Sequence, residues 1–407
     1  MGLKLLINSL FRGGAEKQFA ALAALLPHET LLLLEDEVRL PVPVRPLFLS
    51  DHRASTSSLV KTASIPLYAR HLAALTAPGD TVLSFMERSN IVNVLAAARS
   101  GHTAVICERT SPSGEFSGLR GALMRPLIRR YYPRAGLVVA NSEGVKKDLL
   151  ENFGVPAHKL RVVPNGCDCA GIARQAAAPL PEGWDAVFRR PVVVTGGRLT
   201  AAKGHWHLLR AFREARAAAP GAALLFLGEG ELERYLLGLA RGLGLSVFSG
   251  AGAPPPDADV YFAGYRPNPY LFISRARLFA FTSLWEGFPN ALLEAMACGV
   301  PVVSSDCASG PREILAPSVP RPAGTPAPEH AEFGVLMPPL SGRRLPPPVP
   351  LEPAEAAWGA KLAELLNAPT ALKVYSAAGV KRAADFDLSK TAALWQELLK
   401  AAPHHIK

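Results

Sequence analysis

Between residues 285 and 303 the chain reads Trp285-Glu-Gly-Phe-Pro-Asn-Ala-Leu-Leu-Glu-Ala-Met-Ala-Cys-Gly-Val-Pro-Val-Val303. An apolar run at 278–282 precedes this stretch, a loop holding Gly287 and Pro289 follows it, and a helical pattern opens near Asn290. A second apolar run then covers 300–304. Strand, loop, helix and strand in that order form the unit of a parallel sheet covered on both faces. In such a unit the first-turn N–H groups of the helix lack intrahelical partners and lie at the carboxyl edge of the sheet. That position favours a phosphate or a developing anion. Glu286 sits in the loop and Glu294 one turn inside the helix, so both can face one ligand. Acids beside an anion-binding helix end suit a ligand that also offers hydroxyls, as a sugar nucleotide does. The plainer alternative is a Gly-Pro turn, an N-capping Asn290 and a solvated helix face.

The same alternation extends in both directions. Apolar runs lie at 3–7, 81–85, 104–107, 137–140, 160–163, 192–195, 223–227 and 260–263, with helical patterns at 16–26, 91–99, 143–153, 205–218 and 232–243. The fold class is α/β, twice over, because 407 residues exceed what one core organises. The expected domains are 1–170, a linker at 171–190 without apolar period, and 191–387. Residues 316–353 hold 12 prolines and read as a loop around one short strand at 333–337. An amphipathic helix at 388–400 closes the chain, and its own pattern does not say where it packs.

A second chemistry-bearing stretch is Val192-Val-Val-Thr-Gly-Gly-Arg-Leu-Thr-Ala-Ala-Lys-Gly204. Arg198 and Lys203 bracket a glycine turn at the end of a strand. There Arg can bind a diphosphate in a planar fork and Lys as a point charge. A third is Arg12-Gly-Gly-Ala-Glu-Lys-Gln18, where Gly13 and Gly14 let a ligand approach the backbone. It is not Gly-x-Gly-x-x-Gly, so no dinucleotide cofactor is indicated. Asp257-Ala-Asp259 follows three prolines and reads as a polar turn rather than a metal site, and His205 and His207 read as structural. Cys167-x-Cys169 lacks zinc or redox spacing among five cysteines, so neither metal nor disulfide is expected.

The net charge of +10 is spread over both halves without a basic tail. By itself it fits nucleic acid, anionic lipid or diphosphate ligands. No apolar run is long enough to span a bilayer. The N-terminal Met1-Gly-Leu-Lys-Leu-Leu-Ile-Asn8 reads as a buried strand and not a signal peptide, so a cytoplasmic protein is expected.

Taken together, these pieces resemble glycosyltransferase family 4. The matches are Gly197-Arg-Leu…Lys203-Gly, Leu227-Gly-Glu-Gly230, Val260…Gly264-Tyr and Glu286-Gly-Phe-Pro-Asn…Glu294-Ala-Met-Ala-Cys-Gly-Val-Pro-Val-Val. Gly13-Gly-Ala-Glu, Val138-Val-Ala-Asn-Ser-Glu-Gly-Val145 and Val162-Val-Pro-Asn-Gly166 extend the resemblance into the first half. It is weakest at 27–80 and 316–353. The resemblance implies the GT-B fold: two Rossmann-like domains facing across a cleft, with the last helix crossing back to the first. It implies a retaining, metal-independent enzyme that uses a nucleotide-diphosphate sugar, with UDP as the nucleotide, and no other cofactor. Arg198 and Lys203 would hold the diphosphate and Glu294 the ribose. Glu286 and the Gly287-Phe288-Pro289-Asn290 backbone would contact the transferred sugar and β-phosphate, while Gly14 would lie at the diphosphate. Arg198, Lys203 and Glu286 would carry catalysis. Where many members place a histidine, this chain reads Val105-Ile-Cys-Glu-Arg-Thr110, so Glu108 or Arg109 stands there instead.

The ending Asp306-Cys-Ala-Ser-Gly-Pro-Arg-Glu-Ile-Leu315 resembles a branch that builds bacterial surface or lipid-linked glycans, often adding N-acetylhexosamine. The expected partners are therefore a nucleotide-sugar donor, a lipid-linked acceptor and an anionic membrane surface, and not nucleic acid. Residues 116–136 fit that membrane role, with five arginines, no acid, and Leu119, Leu123, Leu127 and Tyr131 at helical spacing. Pro126 is expected to kink or split this helix. The location implied is the inner face of the plasma membrane.

Overall fold

Buried aliphatic runs build two separate sheets. The computed structural model describes residues 2–250, 252–319 and 322–401. The chain divides into one unit of Met1–Gly166 with Leu388–Lys407, and a second of Cys167–Asp387.

In the first unit seven strands form a parallel sheet: β1 Leu3–Ile7, β2 Thr30–Leu33, β3 Leu47–Phe48, β4 Thr81–Phe85, β5 Thr103–Glu108, β6 Leu137–Ala140 and β7 Leu160–Val162. Their order is β3-β2-β1-β4-β5-β6-β7, so the chain reverses its direction of travel between β1 and β4. Successive side chains go to opposite faces. Leu6, Val82, Ile106 and Val138 enter one core, whereas Leu5, Ile7, Leu83, Phe85 and Val139 enter the other. The closing helix Leu388–Lys400 covers that second core, with Trp395 fully buried against Phe85 at a ring separation of 5.9 Å.

The second unit has eight strands: β8 Val192–Gly196, β9 Ala223–Leu227, β10 Val247–Ser249, β11 Val260–Phe262, β12 Leu278–Phe281, β13 Val302–Ser305, β14 Glu329–His330 and β15 Val335–Met337. The order is β10-β11-β9-β8-β12-β13-β15-β14. All pairs are parallel except β14 with β15 at one edge. Again the direction reverses at the first strand, here between β8 and β12.

Several sequence expectations need correction. The stretch 171–190 is not a linker: helices Cys169–Ala176 and Trp184–Phe188 occupy it, and Trp184 is buried against Tyr261 and Phe272. These helices are too short to show a period. The proline-rich region holds two strands, not one, and ends in helix Pro353–Asn367, followed by Pro369–Asp385. Those two Ala-rich helices carry weak amphipathic patterns. Of the kink or split expected at Pro126, the split does not occur, since one helix runs over Gly118–Tyr131. Ala122, whose carbonyl loses its partner there, is exposed, so water can take the bond. Replacing Trp395 by Ala should cost about 3–5 kcal/mol, as for other buried aromatic truncations, read from the denaturant midpoint.

Candidate active site

Backbone contact, made possible by missing side chains, assembles the carboxyl edge of the second sheet. Gly197 follows β8 at φ +137 and Gly228 follows β9 at φ +144. A Cβ on Gly228 would stand 2.0 Å from the Gly197 carbonyl, and one on Gly230 would stand 2.5 Å from the Leu199 carbonyl. The Gly228-Glu-Gly230 pair is thus a spacer that lets the two loops touch. Leu199 N–H donates to Glu229 O at 2.9 Å. On the other side, Gly204 at φ +58 would place a Cβ 2.5 Å from Thr282 O. Thr282 Oγ1 donates to Lys203 O at 3.0 Å, and Leu284 N to Ala202 O at 2.7 Å. The loops after β8 and β12 are therefore stitched together at the point where strand order reverses, the usual ligand crevice of an open α/β sheet.

That stitching brings Lys203 to Glu286, with Nζ to Oε1 at 2.6 Å and both side chains mostly buried. Lys203 Nζ also lies 5.1 Å from the Phe281 ring centre. Arg198 is exposed, and among the described residues its guanidinium has no partner. Ser309 Oγ donates to Glu286 O at 2.5 Å. Gly310, at φ +92, passes beneath Gly287 and Pro289 where a Cβ would meet Pro289 Cδ at 2.5 Å. Phe288 is buried edge-on to Phe386 at 5.2 Å. Asn290 is the first residue of its helix and not its cap. Pro289 holds the cap position and offers no capping side chain. Glu294, on the same helix, is hydrogen-bonded by the Tyr270 hydroxyl, whose pKa rises through burial and the Glu294 charge. Glu286 and Glu294 thus have separate partners. Tyr270, which opens the short helix Tyr270–Ile273 after β11, carries no periodic signal that the sequence could have revealed.

The remaining polar candidates serve structure. Asp259 is buried, accepting from Ser246 N at 2.9 Å and pairing with Arg216 at 2.6 Å. His205 is buried, and burial with the nearby Lys203 charge pulls its pKa down to about 3. His207 Nε2 accepts from Gly342 N at 3.1 Å, so its Nδ1–H faces Glu355 at 2.7 Å. Arg210 also holds Glu355, which leaves the His207–Glu352–Glu355 group engaged within the fold. All five cysteines are free thiols.

In the first unit, Gly13 caps the helix Gly14–Ala23, where a Cβ would collide with the Glu16 carboxylate at 2.2 Å. Gln18 exchanges two hydrogen bonds with Gly166, at 2.6 and 2.9 Å, and so fixes the Pro-Asn-Gly turn after β7. After β4, Met86 has φ 73, the one positive value on a non-glycine among the described residues. Such strain collects at functional edges. Glu108 is 1% exposed and accepts from Tyr132 Oη at 2.6 Å and Arg109 N at 2.9 Å. Arg109, also buried, lies 4.8 Å over the Phe85 ring and donates to Asn165 Oδ1 and, at 3.4 Å, to Cys107 Sγ. No carboxylate pairs with it among the described residues.

With this geometry in hand, the comparisons are specific. Residues 13–170 match the family described as Glycosyltransferase Family 4, and residues 185–330 that described as Glycosyl transferases group 1. The N-acetylgalactosamine-N,N'-diacetylbacillosaminyl-diphospho-undecaprenol 4-alpha-N-acetylgalactosaminyltransferase of Campylobacter jejuni is 30% identical over 322 residues, covering 77% of this chain and 83% of that one. The chain belongs to glycosyltransferase family 4. An uncharacterized glycosyltransferase of Methanocaldococcus jannaschii is 29% identical over 79% of each chain. The crystal structure of Anabaena HepE in complex with UDP superposes with a TM-score of 0.73 at 19% identity, covering 98% of this chain and 100% of that one, which gives the fold as GT-B.

Burial and the charge of Glu87 push Glu108 up to about 8 from an ordinary 4.5. Because the folded form holds its proton more tightly than the unfolded chain, stability falls as pH rises between those two values. The thermal midpoint should therefore drop between about pH 6 and pH 8, and Glu108→Gln should flatten that drop. An unchanged slope in the variant would place the titration elsewhere.

Proposed function

We propose that this glycosyltransferase is retaining and metal-independent. In this reading it moves a hexose or N-acetylhexosamine from a UDP-sugar to a lipid-linked glycan acceptor in bacterial surface-glycan assembly. The observation that carries this reading is the Lys203–Glu286 pair at the point where the strand order of the second sheet reverses, with Arg198 on the same loop as Lys203. A relative named for action on a diphospho-undecaprenol glycan and a fold neighbour crystallised with UDP support it.

The chemistry follows from charge. As the bond between the anomeric carbon and the β-phosphate oxygen breaks, negative charge grows on the leaving diphosphate and positive charge on the sugar ring. Arg198, Lys203 and the uncapped helix end after Pro289 stabilise the first without reorganising. Glu286, beside Lys203, is set to hold the sugar and the electropositive ring. Retention has the acceptor oxygen attack from the leaving-group face, and the departing phosphate oxygen takes the acceptor's proton. No protein nucleophile is needed. Glu294 would hold the ribose, and Gly13 and Gly14 leave backbone room for the diphosphate.

Membrane docking rests on helix Gly118–Tyr131. Met124, Ile128 and Tyr132 turn into the core, whereas Leu119 is 93% and Leu123 41% exposed. The apolar residues expected on one face thus divide between core and surface. Arg120, Arg129, Arg130 and Arg134 are exposed around them, although Arg120 pairs with Glu115 at 3.2 Å and Arg129 donates to Asn152 O at 2.9 Å. No helix of the described residues is long and apolar enough to cross a membrane. Surface leucines ringed by arginines suit an anionic leaflet, at up to about 1 kcal/mol per cation.

Two measurements test this reading. Arg198→Ala and Lys203→Ala should each cost about 2–4 kcal/mol in kcat/KM, as for loss of one transition-state donor. Transfer of labelled sugar should continue in excess chelator. Turnover without acceptor would instead indicate an epimerase or hydrolase, and donor binding without turnover a non-catalytic protein. Separately, co-sedimentation with anionic vesicles should weaken with salt and with Leu119→Asp plus Arg130→Glu. Equal binding to neutral vesicles would favour a soluble acceptor.

A further inference from the structure

At the opposite, amino edge of the second sheet lies a cavity of about 260 Å³ whose charged lining is entirely cationic: Arg189, Arg190, Arg275, Arg277 and Lys373. Arg190 immediately precedes the Pro191–Val192 entry to β8 and Arg277 immediately precedes β12, so the strand starts themselves place these side chains. Lys373 comes from the first turns of helix Pro369–Asp385.

Two of the five have evident structural work. Arg190 donates to the carbonyls of Gly221, Pro256 and Ala258 at 2.7–2.8 Å. Arg275 donates to those of Ala176, Leu271 and Ala178 at 2.7–3.1 Å. Carbonyl dipoles satisfy these donors without cancelling their charge. The side chains of Arg189, Arg277 and Lys373 have no hydrogen-bond or ion-pair partner among the described residues, and of the three Arg277 is half-buried while Arg189 and Lys373 are exposed. The helix Asn290–Ala297 ends here, and its C-terminal dipole supplies about half a negative charge, short of what five cations present. The Gly299 carbonyl just beyond it already accepts the Ser376 hydroxyl at 2.5 Å. Like charges gathered around one small cavity repel one another unless an anion joins them.

We propose that this cavity is a phosphoanion site, taking a phosphoryl group from a free phosphorylated metabolite or from a lipid headgroup. Guanidinium forks match phosphoryl oxygens, and Lys373 adds a mobile point charge. The site is separate from the diphosphate clamp, which occupies the other end of β8 and β12, and it goes beyond the transferase reading because its ligand need not be a substrate. It also adjoins that clamp's framework: Arg277 leads into β12, and Gly299 closes the helix that carries Glu294.

The test uses full-length protein carrying Arg198→Ala and Lys203→Ala, so that the clamp does not compete. Inorganic diphosphate is titrated by calorimetry, alongside soluble short-chain phosphatidylglycerol and phosphatidylcholine. Saturable diphosphate binding should weaken at least about tenfold when Arg189, Arg277 and Lys373 become Ser, since each removes a charge-assisted contact. Stronger binding of phosphatidylglycerol than of diphosphate, lost in the same variant, assigns a lipid headgroup, and the reverse order assigns a free ligand. Arg277→Gln serves if the triple variant does not fold, and should weaken binding in the same direction. The site is refuted if neither probe binds, if the substitutions leave binding unchanged, or if chloride at equal ionic strength reproduces the heat.

Discussion

The carboxyl edge of the second sheet depends on three loops coming closer than side chains permit. A Cβ at Gly228 would overlap the Gly197 carbonyl, and one at Gly204 the Thr282 carbonyl. Each of these glycines also has a positive φ that a larger residue adopts only at a cost. Because the backbones touch, the loops after β8, β9 and β12 behave as one body, and the side chains they carry inherit that rigidity. Gly310 extends the same logic under the Gly287–Pro289 loop. Spacing glycines, and not the charged residues, are therefore what makes the charged residues meet.

The ion pair that results has a particular electrostatic character. Lys203 and Glu286 are both largely withdrawn from water, so breaking the pair would leave a costly uncompensated charge. Keeping it together costs little flexibility, because each partner stands on a loop already fixed by backbone bonds. Glu286 holds Lys203 in place while its charge offsets the cation. Lys203 is thereby offset by its own partner. Arg198, exposed and without a side-chain partner among the described residues, carries the uncompensated positive charge. Burying His205 as a neutral ring beside Lys203 keeps a second cation from crowding the first.

How much of this could be read in the sequence varies with the length of the signal. Parallel strands with continuous apolar runs, such as residues 192–195 and 278–282, were legible because nothing else buries such runs at that length. β2 was not, since Thr30-Leu-Leu-Leu-Leu34 is equally at home in a helix and carries no period. The pairing of Lys203 with Glu286 was not legible either. Both were assigned to one ligand, but residues 83 positions apart announce no contact until the loops are folded. The Gly228-Glu-Gly230 motif was legible only as one piece of the family resemblance. Its packing role appeared only once the neighbouring loop was seen.

The first unit shows the complementary arrangement. There the edge after β5 carries Arg109 and Glu108, both nearly inaccessible and not paired with each other. Burial and the neighbouring Glu87 lift Glu108 to about 8, and Glu87 is shifted in the same direction. Arg109 keeps its charge, since guanidinium does not deprotonate in proteins. Its contacts, the Cys107 sulfur, the Asn165 oxygen and the Phe85 ring, are all uncharged. A buried cation surrounded by dipoles costs more than one paired with a carboxylate. The fold offsets that cost with hydrogen bonds and a ring face, which orient the guanidinium without cancelling its field.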